Sequence, residues 1–340
     1  MNNLLHKAKA ALLGLIAILA QGFVLFFFSE LFFWARPTEV ALGHPHCLDG
    51  WLIYSYLGLL LSICLQFFQV GRQEPQKASL CNQWPAIYLC GALYGWFAEG
   101  AVVHTMYDSF PINIAHTGLS WHALLSVLIG RMLLPRLLQS TSAGKLLLLA
   151  IGLGLYWGYW AVFWWYDLKA AVSPADFLAF SMQSTAALAL AYLFSNLCGD
   201  RNRVPVWLSI ASLVLLAVIY LPYAVTQPVH ACIFFTACGI TVFFLLKHRQ
   251  AFGSPPSDQP KAAQAARGRG KVNLRLVGNL FILTAMPATA SLVYLFFVFL
   301  SAAAGCILPT GWLIYVVNLA VCLWLYVKAA RQLNGSKPAA

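Results

Sequence analysis

Ten stretches of apolar residues, each long enough to cross a lipid bilayer, constrain this chain more than any other feature. A membrane-spanning helix needs about 20 consecutive, mainly apolar residues. The ten stretches lie at approximately 11–35, 51–70, 85–107, 118–137, 146–166, 177–197, 205–225, 229–246, 276–300 and 311–328. The sequence therefore predicts an all-α, polytopic integral membrane protein, a bundle of about ten transmembrane helices in contact with the lipid bilayer.

The distribution of basic residues predicts the topology. The chain is 61% hydrophobic and 9% charged, whereas a soluble domain carries about a quarter charged residues. Its net charge of +11 would suggest nucleic acid in a soluble protein, but in membrane proteins basic residues collect in cytoplasmic loops. With the N-terminus inside, every Lys and Arg except Arg36 and Lys169 falls on the inner side. We therefore expect both termini in the cytoplasm, a cytoplasmic (inner) membrane location and no nucleic-acid partner.

One long loop divides the chain. Residues 248–275 contain Pro255-Pro256, an Ala/Gln run and a basic segment from Arg267 to Lys271. This composition predicts a disordered cytoplasmic linker whose basic end rests on anionic lipid headgroups. It separates an eight-helix membrane domain, 1–247, from a final pair of helices with a short tail, 276–340. The sequence indicates no protein partner.

The cysteines indicate neither a metal site nor a particular disulfide. The chain has nine cysteines and no CxxC motif. Cys47, Cys232 and Cys306 fall on the predicted outer side, where a disulfide is permitted, but the sequence does not select a pair.

Glu99 lies well inside the third apolar stretch, where an ionisable side chain costs several kcal/mol and usually marks a functional site or a buried partner. It continues a stripe with Gly91 and Gly95, and small residues at this spacing let a neighbouring helix approach closely. Glu99 is therefore expected to face protein, with Glu30 as one candidate to share its proton. A general acid, a proton relay and a structural hydrogen-bond anchor all fit this placement.

Four further side chains are predicted to gather at the outer ends of the third and fourth spans. His104 and Asp108 are four residues apart on a predicted helix, and a short hairpin leads to His116 and His122. Imidazoles and carboxylates bind divalent metals such as zinc and also serve as acids and bases. The quartet therefore predicts a metal or catalytic site, with helix-end capping as the structural alternative.

The fifth span predicts a wall for an apolar substrate. Trp157, Trp160 and Trp164 lie on it, followed by Asp167. The aromatic run extends about 15 Å along the helix, further than an interfacial belt needs. Together with Glu30, these residues are the candidate pocket for an apolar or lipid-linked small molecule, and ordinary helix packing is the alternative.

The same stretch resembles the tryptophan-rich WWD motif of haem-handling proteins in cytochrome c maturation. The resemblance rests on Trp157-Gly158, Trp160 and the terminal Trp165-Tyr166-Asp167, near outer histidines. It departs from the compact family motif at Ala161-Val162-Phe163 and covers about a dozen residues. The resemblance implies a haem-binding protein with outer histidines as axial ligands.

Three functions follow from these patterns. The first is metal- or acid/base-assisted hydrolysis or transfer on a lipid-linked or membrane-soluble substrate, with Glu99 as proton donor. The ligands or bases would be His104, Asp108, His116 and His122. The second is a proton-coupled permease using Glu99 and Glu30, and the third is haem handling. The chain has no P-loop, HExxH, GxSxG or dinucleotide fingerprint, so nothing supports a nucleotide-driven or NAD-linked activity.

The topology predicts which side of the membrane each loop faces. Cysteines substituted for His44 or His46 in a cysteine-free background should react with an impermeant thiol reagent added outside intact cells. Labelling of these positions only after the cytoplasm is exposed would overturn the outward assignment.

Overall fold

A computed structural model describes residues 2–36, 45–70, 80–168, 172–198, 204–252, 274–304 and 311–335. Every regular element in these ranges is helical, which confirms the predicted all-α bundle. The helices are α1 (Asn2–Phe26), α2 (Pro45–Phe67), α3 (Leu80–Trp96), α4 (Ile112–Gln139), α5 (Ala143–Leu168), α6 (Pro174–Cys198), α7 (Val206–Thr226), α8 (Pro228–Phe252), α9 (Leu274–Ile282), α10 (Ala285–Ala304) and α11 (Gly311–Asn334).

Nine helical segments of the described chain are long and apolar enough to cross a membrane, with α9 and α10 together forming one of them. They correspond to nine of the ten predicted spans, so the protein is a multi-pass membrane protein. The remaining predicted span, the third (85–107), is α3 and its π-helical continuation Phe97–Val102. Its regular α-helix has 17 residues, because the chain changes to π-helical geometry at Phe97.

The helix bounds differ from the predicted linker bounds at both ends. Helix α8 continues through His248 to Phe252, and α9 begins at Leu274. Residues 253–273, most of the predicted linker, lie outside the described residues. Apolar positions on both sides of Lys247 and Arg249 extend α8 past the two basic residues that suggested its end.

The chain divides into two compact units. Unit 1 comprises residues 1–55, 130–199 and 269–317, and unit 2 comprises residues 56–129, 200–268 and 318–340. The boundaries predicted from the sequence, 1–247 and 276–340, followed the long loop along the chain. The units follow spatial contact instead.

In unit 1, glycines let helices α5 and α10 meet at backbone distance. A methyl group built on Gly154 would lie 2.4 Å from the carbonyl oxygen of Met286, and one on Gly158 would lie 2.2 Å from that of Ala290. Such distances are too short for any Cβ atom, so both positions require glycine. This is the close, small-residue packing that stabilises helix pairs in membranes, where lipid weakens the hydrophobic drive.

In unit 2, helices α3, α4, α8 and α11 surround buried polar side chains. The Tyr88 hydroxyl donates to the Cys322 carbonyl at 3.0 Å, and the hydroxyls of Thr241 and Tyr326 are hydrogen-bonded at 2.7 Å. Satisfied polar groups of this kind join helices where water is absent.

The disulfide that the outer positions of Cys47, Cys232 and Cys306 would permit stays open. The Cys47 and Cys232 thiols are free, and Cys306 lies outside the described residues.

Replacing Gly158 by Val should lower the free energy of unfolding by at least about 2 kcal/mol, because the added side chain collides with the α10 backbone. Gly152→Val is the matched control, since nothing lies within 4 Å of a methyl group built on Gly152. Unfolding of the purified variants in mixed micelles measures both. Equal stability of the two variants would contradict the close α5–α10 contact.

Candidate functional site

The polar centre of unit 2 begins with two glycines on α3. A methyl group built on Gly91 would lie 2.8 Å from Cα of Ala123, and one on Gly95 would lie 2.4 Å from the carbonyl oxygen of Gly118. Helix α4 therefore packs directly on the backbone of α3. The predicted small-residue stripe is confirmed, and the helix that it admits is α4.

This close approach brings Glu99 to His122. The distance from Glu99 Oε1 to His122 Nε2 is 2.6 Å, and the two side chains are 13% and 2% exposed. The hydroxyl of Thr105 donates to the other carboxylate oxygen, Oε2. Glu99 faces protein as predicted, and its partner is an imidazole from the next helix within the same unit.

Both helices leave α geometry where they carry the pair. Glu99 lies in the π-helical turn Phe97–Val102, and His122 lies in the π-helical segment His116–Leu133 of α4. Hydrogen bonds from residue i to i+5 are rare in helices and frequently occur at functional sites. They change the direction of side chains relative to an α-helix, so ideal α-helical spacing could not place these two groups.

His116, on the first turn of the same π-helical segment, is 4% exposed and interacts electrostatically with Glu99. Two of the four residues of the predicted quartet, His116 and His122, are therefore buried next to Glu99. The carboxylate contacts one imidazole and one hydroxyl, and the second imidazole is near enough to interact with it electrostatically.

The other two members of the quartet are placed differently because α3 ends early. Its helical backbone stops at Val102, and His104 has a left-handed φ of 70° before the 3₁₀ turn Thr105–Tyr107. The predicted helical pairing of His104 with Asp108 is therefore wrong. Asp108 is exposed at the end of this turn.

His104 instead joins a stack of imidazole and phenol rings. Its ring lies 3.7 Å from that of Tyr223, and the rings of Tyr107 and His230 are parallel at 4.3 Å. The Tyr223 hydroxyl and His230 Nδ1 are 2.7 Å apart. The stack joins the turn after α3 to the tight connection between α7 and α8.

His104 lies beyond the helical part of its span. Burial, and next the neighbouring His230, lower the pKa of His104 from its ordinary value. The imidazole therefore favours its neutral form, which suits a ring packed on tyrosine.

The predicted metal site remains a prediction. Within the described part of the chain, no three His, Cys, Asp or Glu side chains form a group that could hold a metal ion. The imidazole Nε2 of His122, a favourable ligand atom, lies against Glu99.

In unit 1, Glu30 also lies in a π-helical turn, Phe27–Leu31, which follows α1. It accepts a hydrogen bond from the Tyr54 hydroxyl at 2.7 Å. Both carboxylates that the sequence placed inside spans, Glu30 and Glu99, therefore occupy π turns and have hydrogen-bond partners within their own units.

The tryptophans of α5 bind the chain just after the π turn that follows α1. The indole N–H groups of Trp160 and Trp164 donate to the Phe33 carbonyl at 2.8 and 2.7 Å, and that of Trp157 donates to Trp34 at 3.3 Å. A helix end leaves carbonyls without intrahelical partners, and these indoles satisfy two of them.

Trp157 and Trp160 are fully buried, and Trp157 packs against Phe27, Phe32 and Phe177. The contacts assign these side chains packing and capping roles, and their role as a substrate wall stays a prediction. The Asp167 side chain lies outside the described residues, so the end of the motif that resembles WWD proteins has no described geometry.

No protein-family model, curated protein or solved structure matches this chain. The function must therefore be argued from the geometry of its own residues.

Sequence reasoning missed Thr105 and Tyr223. A single residue, Gln227, separates α7 from α8, so Tyr223 and His230 were recoverable as neighbours across a tight helical connection. Nothing in the sequence distinguished Thr105, because its position depends on the early end of α3.

Replacing His122 by Ala should lower the free energy of unfolding by about 3 kcal/mol, because it leaves a buried carboxylate without its imidazole. Adding Glu99→Gln should recover part of that loss, since the charge is then absent. A thermodynamic cycle of the two single variants and the double variant measures the coupling. Strictly additive effects would contradict a direct Glu99–His122 interaction.

Proposed function

We propose that this multi-pass membrane protein is a proton-coupled permease for an apolar or lipid-linked molecule, with Glu99 and His122 as the groups that bind and release the proton. The observation that carries the proposal is the 2.6 Å contact between the carboxylate and the imidazole. A carboxylate and an imidazole in contact share one exchangeable proton, and they titrate as a pair.

Burial supports transport over surface hydrolysis. The His122 side chain is 2% exposed and that of Glu99 is 13% exposed, so a substrate in bulk water has little access to either group. An ionisable pair in this position gains or loses its proton when the helices move and admit water. Proton uptake and release linked to helix movement is the usual role of carboxylates and histidines in the membrane interior of pumps and transporters.

The Glu30–Tyr54 pair provides a second proton-binding candidate in unit 1. The carboxylate accepts a hydrogen bond from the Tyr54 hydroxyl, and its π turn interrupts the regular helix in the same way as the turn at Glu99. The permease proposal thus retains both carboxylates that the sequence indicated.

An acid–base enzyme of the membrane interior is the second candidate. A carboxylate that orients an imidazole is the arrangement of a general base and its supporting acid. A hydrolase or transferase acting on a membrane-soluble substrate would use His122 as base and Glu99 as its orienting group. This reading needs a substrate that approaches from the bilayer rather than from water.

Infrared difference spectroscopy of the purified protein in lipid nanodiscs tests the proposal. Over the range from about pH 5 to pH 9, we expect a carboxyl band that Glu99→Gln removes and His122→Gln displaces. Glu30→Gln is the matched control, and it should leave the Glu99 band in place. A Glu99 band that keeps one protonation state over this whole range would contradict proton exchange and leave a structural ion pair.

Elemental and absorbance analysis of the same preparation separates the alternatives. Stoichiometric zinc that is lost in both His104→Ala and His122→Ala would favour the metal-assisted enzyme. A Soret band would favour haem handling. The permease proposal predicts that Glu99→Gln retains the fold and any bound metal but loses proton-coupled activity.

A further inference from the structure

The Glu99 carboxylate has a different partner on each oxygen. His122 Nε2 contacts Oε1, and the Thr105 hydroxyl donates to Oε2. With both oxygens bound, the carboxylate cannot rotate about its last bond without losing one partner. Thr105 therefore helps to fix the orientation of the carboxylate plane relative to the imidazole.

The backbone around Thr105 is held on several sides. The Asn113 side-chain amide donates to the Thr105 carbonyl at 3.0 Å, and the adjacent Met106 is fully buried. One residue further, the Tyr107 hydroxyl donates to the Gly100 carbonyl at 3.1 Å. These contacts fix the 3₁₀ turn and place the Thr105 hydroxyl beside the carboxylate.

Thr117 also lies near Glu99 but has a different hydrogen-bond role. Its hydroxyl donates to the Asn113 carbonyl at 2.8 Å and also lies within hydrogen-bonding reach of Glu99. Thr105 is the hydroxyl that donates directly to the carboxylate oxygen Oε2.

We infer that Thr105 is a positioning residue for Glu99 and regulates the pH at which the Glu99–His122 pair exchanges its proton. The inference rests on the proposed function, since it concerns the same pair. A hydroxyl that donates to a carboxylate stabilises the ionised form over the protonated form, because the neutral acid accepts more weakly. Loss of the hydroxyl should therefore shift proton binding toward higher pH.

The test compares variants at two threonines with the same infrared titration in nanodiscs. Thr105→Val removes the hydroxyl while nearly preserving shape and should raise the midpoint of the Glu99 band by about one pH unit, the shift expected from losing one hydrogen bond to a charged group. Thr105→Ser restores a hydroxyl and should return the midpoint to within a few tenths of a unit of the original protein. Thr226→Val is the control, since the Thr226 hydroxyl donates to backbone carbonyls of α7.

The outcomes separate the two proposals. An unchanged midpoint in folded Thr105→Val, beside a Glu99 band that still titrates, overturns the positioning role and leaves the proposed function standing. Absence of any titrating Glu99 band in the original protein overturns both. If Thr105→Val does not fold, the midpoint of Thr105→Ala replaces it, and agreement of Thr105→Ala with the original protein likewise overturns the inference.

Discussion

The close contact between α3 and α4 is the constraint on which the centre of unit 2 depends. Gly91 and Gly95 remove the side chains that would hold the helices apart, and the α4 backbone at Gly118 and Ala123 occupies that space. A methyl group built on Gly95 would also lie 2.9 Å from Cβ of His122. Gly95, which lets α4 approach, therefore also brings the His122 imidazole close to Glu99, which lies one turn further along the chain.

The hydrogen bonds of Glu99 matter because its carboxylate is largely removed from water. A carboxylate away from bulk water needs hydrogen bonds that stabilise its charge, or it takes up a proton. Glu99 has an imidazole on one oxygen and a hydroxyl on the other. This arrangement stabilises the carboxylate, and the proposed proton exchange rests on it.

Hydropathy was enough to predict the all-α bundle and nearly all of its spans, because both depend on composition over about 20 residues. The spacing of Gly91, Gly95 and Glu99 was enough to predict that Glu99 faces protein. The partner of Glu99 could not be predicted, because it depends on π-helical turns that no local sequence pattern predicts. The end of the helical backbone at Val102, after the π turn that follows α3, was missed for a related reason. Val103 and Met106 are apolar, so hydropathy extended the helix through His104.

The tryptophans of α5 show that composition alone does not select the neighbours of a side chain. Their number suggested a surface for a ligand, which stays a prediction, and the structure shows Trp157 and Trp160 buried, with N–H groups that bind backbone carbonyls after the π turn that follows α1. An indole combines a large apolar ring with one donor, so it can cap a helix end and fill the space around it. Sequence alone cannot separate these uses, because both require aromatic rings along one helix.

The most direct test of the central claim is a solid-state NMR measurement of dipolar coupling between the labelled carboxyl carbon of Glu99 and the labelled Nε2 of His122 in lipid bilayers. A hydrogen-bonded pair places these two atoms within about 4 Å and predicts a strong coupling. Absence of that coupling in folded protein, at a pH where the NMR signal of the His122 Nε2 is detected, would contradict a direct Glu99–His122 contact.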